Sequence, residues 1–98
     1  MRLTPEEIAA IKQTAAEVFG PAAEVRLFGS RVDDSKRGGD IDLYVEVESG
    51  QATFGNECAF TRRLEDRIGE QKIDVVLHER GRPLRPIAEI AVHTGVRL

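Results

Sequence analysis

At 98 residues, 41% hydrophobic and 32% charged with a formal net charge of −3, the chain has the composition of an ordinary soluble globular domain. That length predicts a single domain, residues 1–98, with one core and no room for a second domain that reads a substrate. The acidic balance speaks against a nucleic-acid coat, no apolar run approaches the roughly 20 residues that span a bilayer, and no signal-peptide pattern opens the chain. A single cysteine, Cys58, cannot form an internal disulfide, which fits a reducing cytoplasm.

Thr4-Pro5-Glu6-Glu7 predicts a helix start: Thr4 caps, Pro5 suits the first helical position and Glu7 completes a capping box. Ile8, Ile11, Ala15, Val18 and Phe19 then make an apolar stripe at helical spacing, and Gly20-Pro21 stops it. Residues 24–28 read as a strand with Val25 and Leu27 on one face, and Gly29-Ser30 turns into a short helix or loop through Ser35. Lys36-Arg37-Gly38-Gly39 reads as a flexible polar link, and residues 39–47 as a second strand. Residues 54–68 predict a helix carrying Phe60, Leu64 and Ile68 four apart, ended by Gly69. Residues 72–78, rich in β-branched side chains, read as a third strand, and residues 84–94 as a last helix stopped by Gly95. The order is α-β-(α)-β-α-β-α, which predicts an α/β fold: a small mixed sheet flanked by helices, with one face left for a site.

The chemistry is concentrated in Phe28-Gly29-Ser30-Arg31 and Gly39-Asp40-Ile41-Asp42-Leu43-Tyr44-Val45. Strand side chains alternate faces, so Asp40 and Asp42 point the same way, about 6.6 Å apart along the strand, while Ile41, Leu43, Val45 and Val47 point into a core. Two neighbouring carboxylates repel, and a divalent cation between them removes the conflict. Gly29-Ser30 allows the backbone to turn closely enough to offer N–H groups and a hydroxyl to a phosphate. Asp74 lies on the strand face opposite Ile73, Val75 and Leu77, so it joins Asp40 and Asp42 wherever the two strands are neighbours.

A Gly-Ser turn, an Asp-x-Asp strand and a later Asp on another strand resemble the signature of the DNA polymerase β-like nucleotidyltransferase superfamily. The resemblance to its small single-domain branch, the minimal nucleotidyltransferases of antitoxin type, covers nearly the whole chain, including the tail from Pro83-Leu84 to Gly95-Val96-Arg97-Leu98. It implies a nucleotidyltransferase fold and transfer of a nucleoside monophosphate, AMP from ATP above all, to a hydroxyl acceptor with release of pyrophosphate. It further implies that Asp40, Asp42 and Asp74 hold two Mg²⁺ ions, which stabilise the attacking and leaving oxygens of an in-line displacement, and that Asp74 draws the proton from the attacking hydroxyl. Gly29 and Ser30 would cradle the β- and γ-phosphates, and Arg31 would neutralise the leaving pyrophosphate. Members of the branch pair with small helical HEPN proteins, RNase-type toxins, so the implied partner is a HEPN-family protein that is modified or bound. The branch commonly carries Arg-Ala-Arg-Gly after Gly-Ser. Here Arg31-Val32-Asp33-Asp34 lacks the second arginine, and Lys36 and Arg37 are the nearest replacements.

Other readings stay open beside this one. The chain could be a binding-module antitoxin with little catalysis, which three converging carboxylates disfavour, or a small-molecule nucleotidyltransferase like those that modify aminoglycosides, which the short length disfavours. Lone residues carry plainer expectations: Cys58 in the helical core, His78 at a strand end, His93 complementing a helix dipole, and Arg31 alternatively paired with Asp33 or Asp34. Arg80, Arg82, Arg85 and Arg97 make the end of the chain basic, either as solvated surface or as a docking patch for an acidic partner or an RNA.

Overall fold

Thr4 and Glu7 begin the first helix, α1 (Pro5–Phe19), as the sequence predicts. The Glu7 N–H donates to Thr4 Oγ1 at 3.1 Å and the Thr4 N–H to Glu7 Oε1 at 2.9 Å, closing a reciprocal capping box. The computed structural model describes residues 2–32 and 39–98, with Ser30 described at its backbone only. The expectations attached to Asp33, Asp34, Ser35, Lys36 and Arg37 therefore lie outside the described residues. After α1 come β1 (Glu24–Phe28), a 3₁₀ turn (Gly29–Val32), β2 (Ile41–Val47), α2 (Phe54–Ile68), β3 (Ile73–Glu79), α3 (Pro86–Thr94) and β4 (Val96–Arg97).

The four strands form one mixed sheet in the order β3-β2-β1-β4. β1 pairs antiparallel with β2, β2 pairs parallel with β3 across α2, and β4 pairs antiparallel with β1. Alternation along β2 sorts its side chains. Ile41, Leu43, Val45 and Val47 are all fully buried and join Val25 and Leu27 of β1 with Ile11, Ala15 and Phe19 of α1 and Phe60 and Leu64 of α2 in the main core. The rings of Phe19 and Phe60 meet with centroids 5.5 Å apart, and Arg67 reaches from α2 to Thr14 Oγ1 and Glu17 on α1. On the opposite face α3 lays Ala88 and Ala91 over Phe28 and Tyr44, a smaller core that leaves part of that face uncovered.

Several expectations are corrected. β2 begins at Ile41, so Asp40 precedes the regular strand, and α3 begins at Pro86, leaving Leu84 ahead of it. The tail after Gly95 adds a two-residue strand. Cys58 is exposed, not core. His78 stands next to last in β3, at the strand end as expected, and is buried: its Nε2–H donates to the Arg82 carbonyl at 2.7 Å, and its Nδ1 lies 3.0 Å from the Tyr44 hydroxyl and 3.4 Å from Glu46 Oε1.

Leu43 sits with no exposed surface in the strand that carries the acidic residues. Leu43→Ala is expected to lower unfolding free energy by about 2–5 kcal/mol in urea denaturation, with an unchanged denaturant slope.

Candidate active site

The directions of three strands bring together residues far apart in sequence. Because β1 and β2 are antiparallel, the end of β1 and its Gly29 turn lie beside the start of β2, where Phe28 is paired with Asp42. Because β2 and β3 are parallel, their starts lie side by side, and Asp42 is paired with Asp74. Neighbouring strands are about 4.8 Å apart, so these carboxylates leave adjacent backbones on one face of the sheet. The two strands are joined just ahead of them by the Ile41 N–H, which donates to the Lys72 carbonyl at 3.0 Å.

Asp42 bears the electrostatic consequence. Burial first, then the negative charges of Asp74 and Asp40, push its carboxyl above the ordinary value of 3.8; a hydrogen bond with Asp74 acts in the same direction and the Lys72 charge opposes it. Asp74 is exposed. Asp40 is near enough to act on Asp42, but its Oδ2 is held by Lys72 Nζ at 3.4 Å. Lys72 stands two residues before Asp74, a spacing that marks it in the sequence as a neighbour of the acidic group. Among the described residues, no three His, Cys, Asp or Glu side chains are grouped as a metal-binding cluster. The donor set itself fits a hard divalent cation: carboxylate oxygens that repel one another gain from a shared positive charge, and Asp40 would exchange its lysine for it.

Gly29 is required twice. Its φ of +76° lies in the left-handed region, and a Cβ built there would overlap the Asp42 carboxylate, with the Asp42 Cγ only 3.1 Å away. The glycine thus makes room for Asp42.

Arg31 is tied to three other segments of the chain. Its Nη1 donates to the Arg2 carbonyl at 3.0 Å, Nη2 to Gln71 Oε1 at 3.2 Å, and Nε to the Gly39 carbonyl at 3.4 Å, so three of the five guanidinium donors are engaged within the protein. Gln71, which the sequence reading passed over, donates in turn to Glu7 Oε2 at 3.2 Å. The terminal arginines are committed locally: Arg80 to Glu46 and Glu48, Arg82 to Glu79, Arg97 to Glu24, and Arg85 to the Leu77 carbonyl. A separate cleft of about 290 Å³ between α1 and the β1–β4 edge, lined by Lys12, Pro21, Glu24 and Arg97 among others, contains none of Asp40, Asp42 and Asp74.

The site is thus an acidic pair in register on the edge strand β3 and its neighbour β2, beside a glycine turn. The family model for the nucleotidyltransferase domain matches residues 8–93, and the chain belongs to that family, within the DNA polymerase β-like superfamily. No curated protein and no solved structure matches the chain. A domain of this family transfers nucleotidyl groups from a nucleoside triphosphate, and such domains generally use a divalent metal such as Mg²⁺.

Two outcomes follow from the geometry. With its folded-state pKa raised, Asp42 contributes stability that is fully present below its unfolded value near 3.8 and lost as pH rises through the raised value. Metal-free Asp42→Asn should therefore be more stable than wild type at neutral pH, with the gap closing as pH falls toward 3.8 in thermal melts. Gly29→Ala should cost about 1–2 kcal/mol from its backbone angle alone and more from the overlap with Asp42, read by urea denaturation.

Proposed function

We propose that the chain transfers AMP from ATP, with Mg²⁺ bound by Asp40, Asp42 and Asp74, to a hydroxyl on a partner protein of the HEPN family, acting in the cytoplasm as an antitoxin of the minimal nucleotidyltransferase type. The observation that carries the reading is the register of Asp42 with Asp74 beside the Gly29 turn. The Gly-Ser turn receives the β- and γ-phosphates, with backbone N–H groups and the Ser30 hydroxyl donating. The acceptor oxygen attacks the α-phosphorus, the bond from that phosphorus to the bridging oxygen breaks, and pyrophosphate departs. Asp74, the exposed carboxylate of the pair, takes the proton lost by the acceptor hydroxyl. Bound Mg²⁺ would neutralise phosphate charge and stabilise the attacking and leaving oxygens.

The partner reading draws support from the surface of α3. Leu84, Ile87, Ile90 and Val96 are exposed large apolar side chains at or beside that helix. The arginines around them are already paired or hydrogen-bonded, so apolar contact contributes more to this docking than charge steering does, and the association rate should fall only modestly as salt rises. That same surface favours the second reading, neutralisation by contact alone.

Co-expression of the chain with a HEPN protein encoded beside it, followed by mass spectrometry, distinguishes the two. Modification by AMP that disappears when Asp40 and Asp42 are both changed to Asn is the expected result, with transfer from labelled ATP falling at least about a thousandfold. An unmodified partner that the double variant still neutralises would replace transfer with binding.

A further inference from the structure

We propose that Arg31 is a positioning residue: through Gln71 and the cap of α1, it sets how the segments bearing Asp40 and Asp74 sit against the Gly29-Ser30 turn. The inference rests on the reading of these residues as a nucleotidyl-transfer site and concerns how that site is held.

Arg31 follows Ser30 directly, so its backbone belongs to the turn. Its side chain reaches the Gly39 carbonyl, one residue before Asp40, and Gln71, three residues before Asp74. Its backbone carbonyl accepts from the Arg2 N–H at 2.8 Å while its Nη1 donates back to the Arg2 carbonyl, closing a two-way tie to the segment ahead of α1. One planar guanidinium therefore bonds to three separate stretches of chain while its own backbone belongs to the phosphate turn. An ammonium cannot reproduce this geometry, because it lacks the fixed fork that directs several donors in one plane.

Gln71 extends the tie to α1. Arg31 can only donate and Glu7 can only accept, so the residue between them must offer an oxygen to one and an N–H to the other, which a glutamine amide does. Its Nε2 also donates to the Ile68 carbonyl at 3.3 Å, anchoring the amide to the end of α2. Glu7 is fixed in turn by the Thr4 cap. Burial works against its charge, yet hydrogen bonds from Thr4 and Gln71 and the Arg31 charge hold its carboxyl below the ordinary range. The chain of contacts runs from the first turn of α1, which packs on the main core, to the loops at the open end of the sheet. A displacement of about 1 Å at a reacting centre costs roughly a hundredfold in rate, so such a tie matters to turnover even without touching substrate.

A phosphate ligand and a positioning residue give different kinetics. If Arg31 positions the site, Arg31→Ala, Arg31→Lys and Gln71→Leu each lower kcat about ten- to a hundredfold with KM for MgATP within about twofold. The Arg31→Ala, Gln71→Leu pair is then no worse than its worse member, because both remove one connection. If Arg31 binds phosphate, KM rises in Arg31→Ala, Arg31→Lys restores most of it, and Gln71→Leu is near neutral; that pattern overturns the proposal. Hydrogen exchange supplies a readout independent of turnover. The Ile41 amide, bonded to the Lys72 carbonyl between the two acidic strands, should exchange at least about tenfold faster in Arg31→Ala and in Gln71→Leu, while the β2 core at Val45 stays protected. Unchanged Ile41 protection in both variants also overturns the proposal. Should wild type transfer no nucleotide, the functional reading fails and the exchange result still decides the positioning role.

Discussion

β2 runs antiparallel to the strand before it and parallel to the strand after it, and the site depends on that pair of directions. The antiparallel neighbour delivers the Gly29 turn to the start of β2. The parallel neighbour delivers Asp74 to the same place, with α2 making the crossover. The main core enforces the arrangement. Four alternate residues of β2 are fully buried, so a one-residue slip would drive Asp42 into the apolar layer and turn Leu43 out to water. Hydrophobic burial thus holds two carboxylates side by side against their repulsion, and the Asp42 carboxyl is raised first by its own burial and then by the charges of Asp74 and Asp40.

The opposition points to how the acidic group works. Asp40 is relieved by Lys72, while Asp42 and Asp74 stand in register on adjacent strands, and the Asp74 charge acts on Asp42. Gly29 belongs to the same compromise, since a side chain there would take the volume that the Asp42 carboxylate occupies. The glycine turn and Asp42 are packed together, and a change in either is felt by the other.

Much of this was legible in the sequence because it is local or periodic. The capping box of α1, the stripe of Ile11, Ala15 and Phe19, the alternation along β2 and the phase of Asp74 all follow from short-range spacing, and the structure reproduces them. What was missed depends on contacts between distant segments. Gln71 meets Arg31 and Glu7 across 40 and 64 positions of chain, and no pattern in its neighbours marks it. His78 is buried because α3 and the loop before it close over that end of the sheet face, a tertiary fact. β4 has two residues, too few for a periodicity. Cys58 was open to a better reading: at about 100° per residue it lies roughly 200° from Phe60 around α2, on the side away from the core. The arginines near the end of the chain looked like a basic patch, but charge in a sequence does not reveal that Glu24, Glu46, Glu48 and Glu79 lie beside them.

The central claim is that the strand directions build an acidic site completed by a divalent cation on a nucleotide. Titration of the isotopically labelled protein with Mn²⁺, in the presence of a non-hydrolysable ATP analogue, tests it through paramagnetic broadening of amide signals. The account predicts that Asp42, Asp74 and Gly29 broaden first and that Asp42→Asn removes the effect. Broadening that begins instead at the acidic residues Glu46, Glu48 and Glu79, with the signals of Asp42 and Asp74 unaffected, would contradict it.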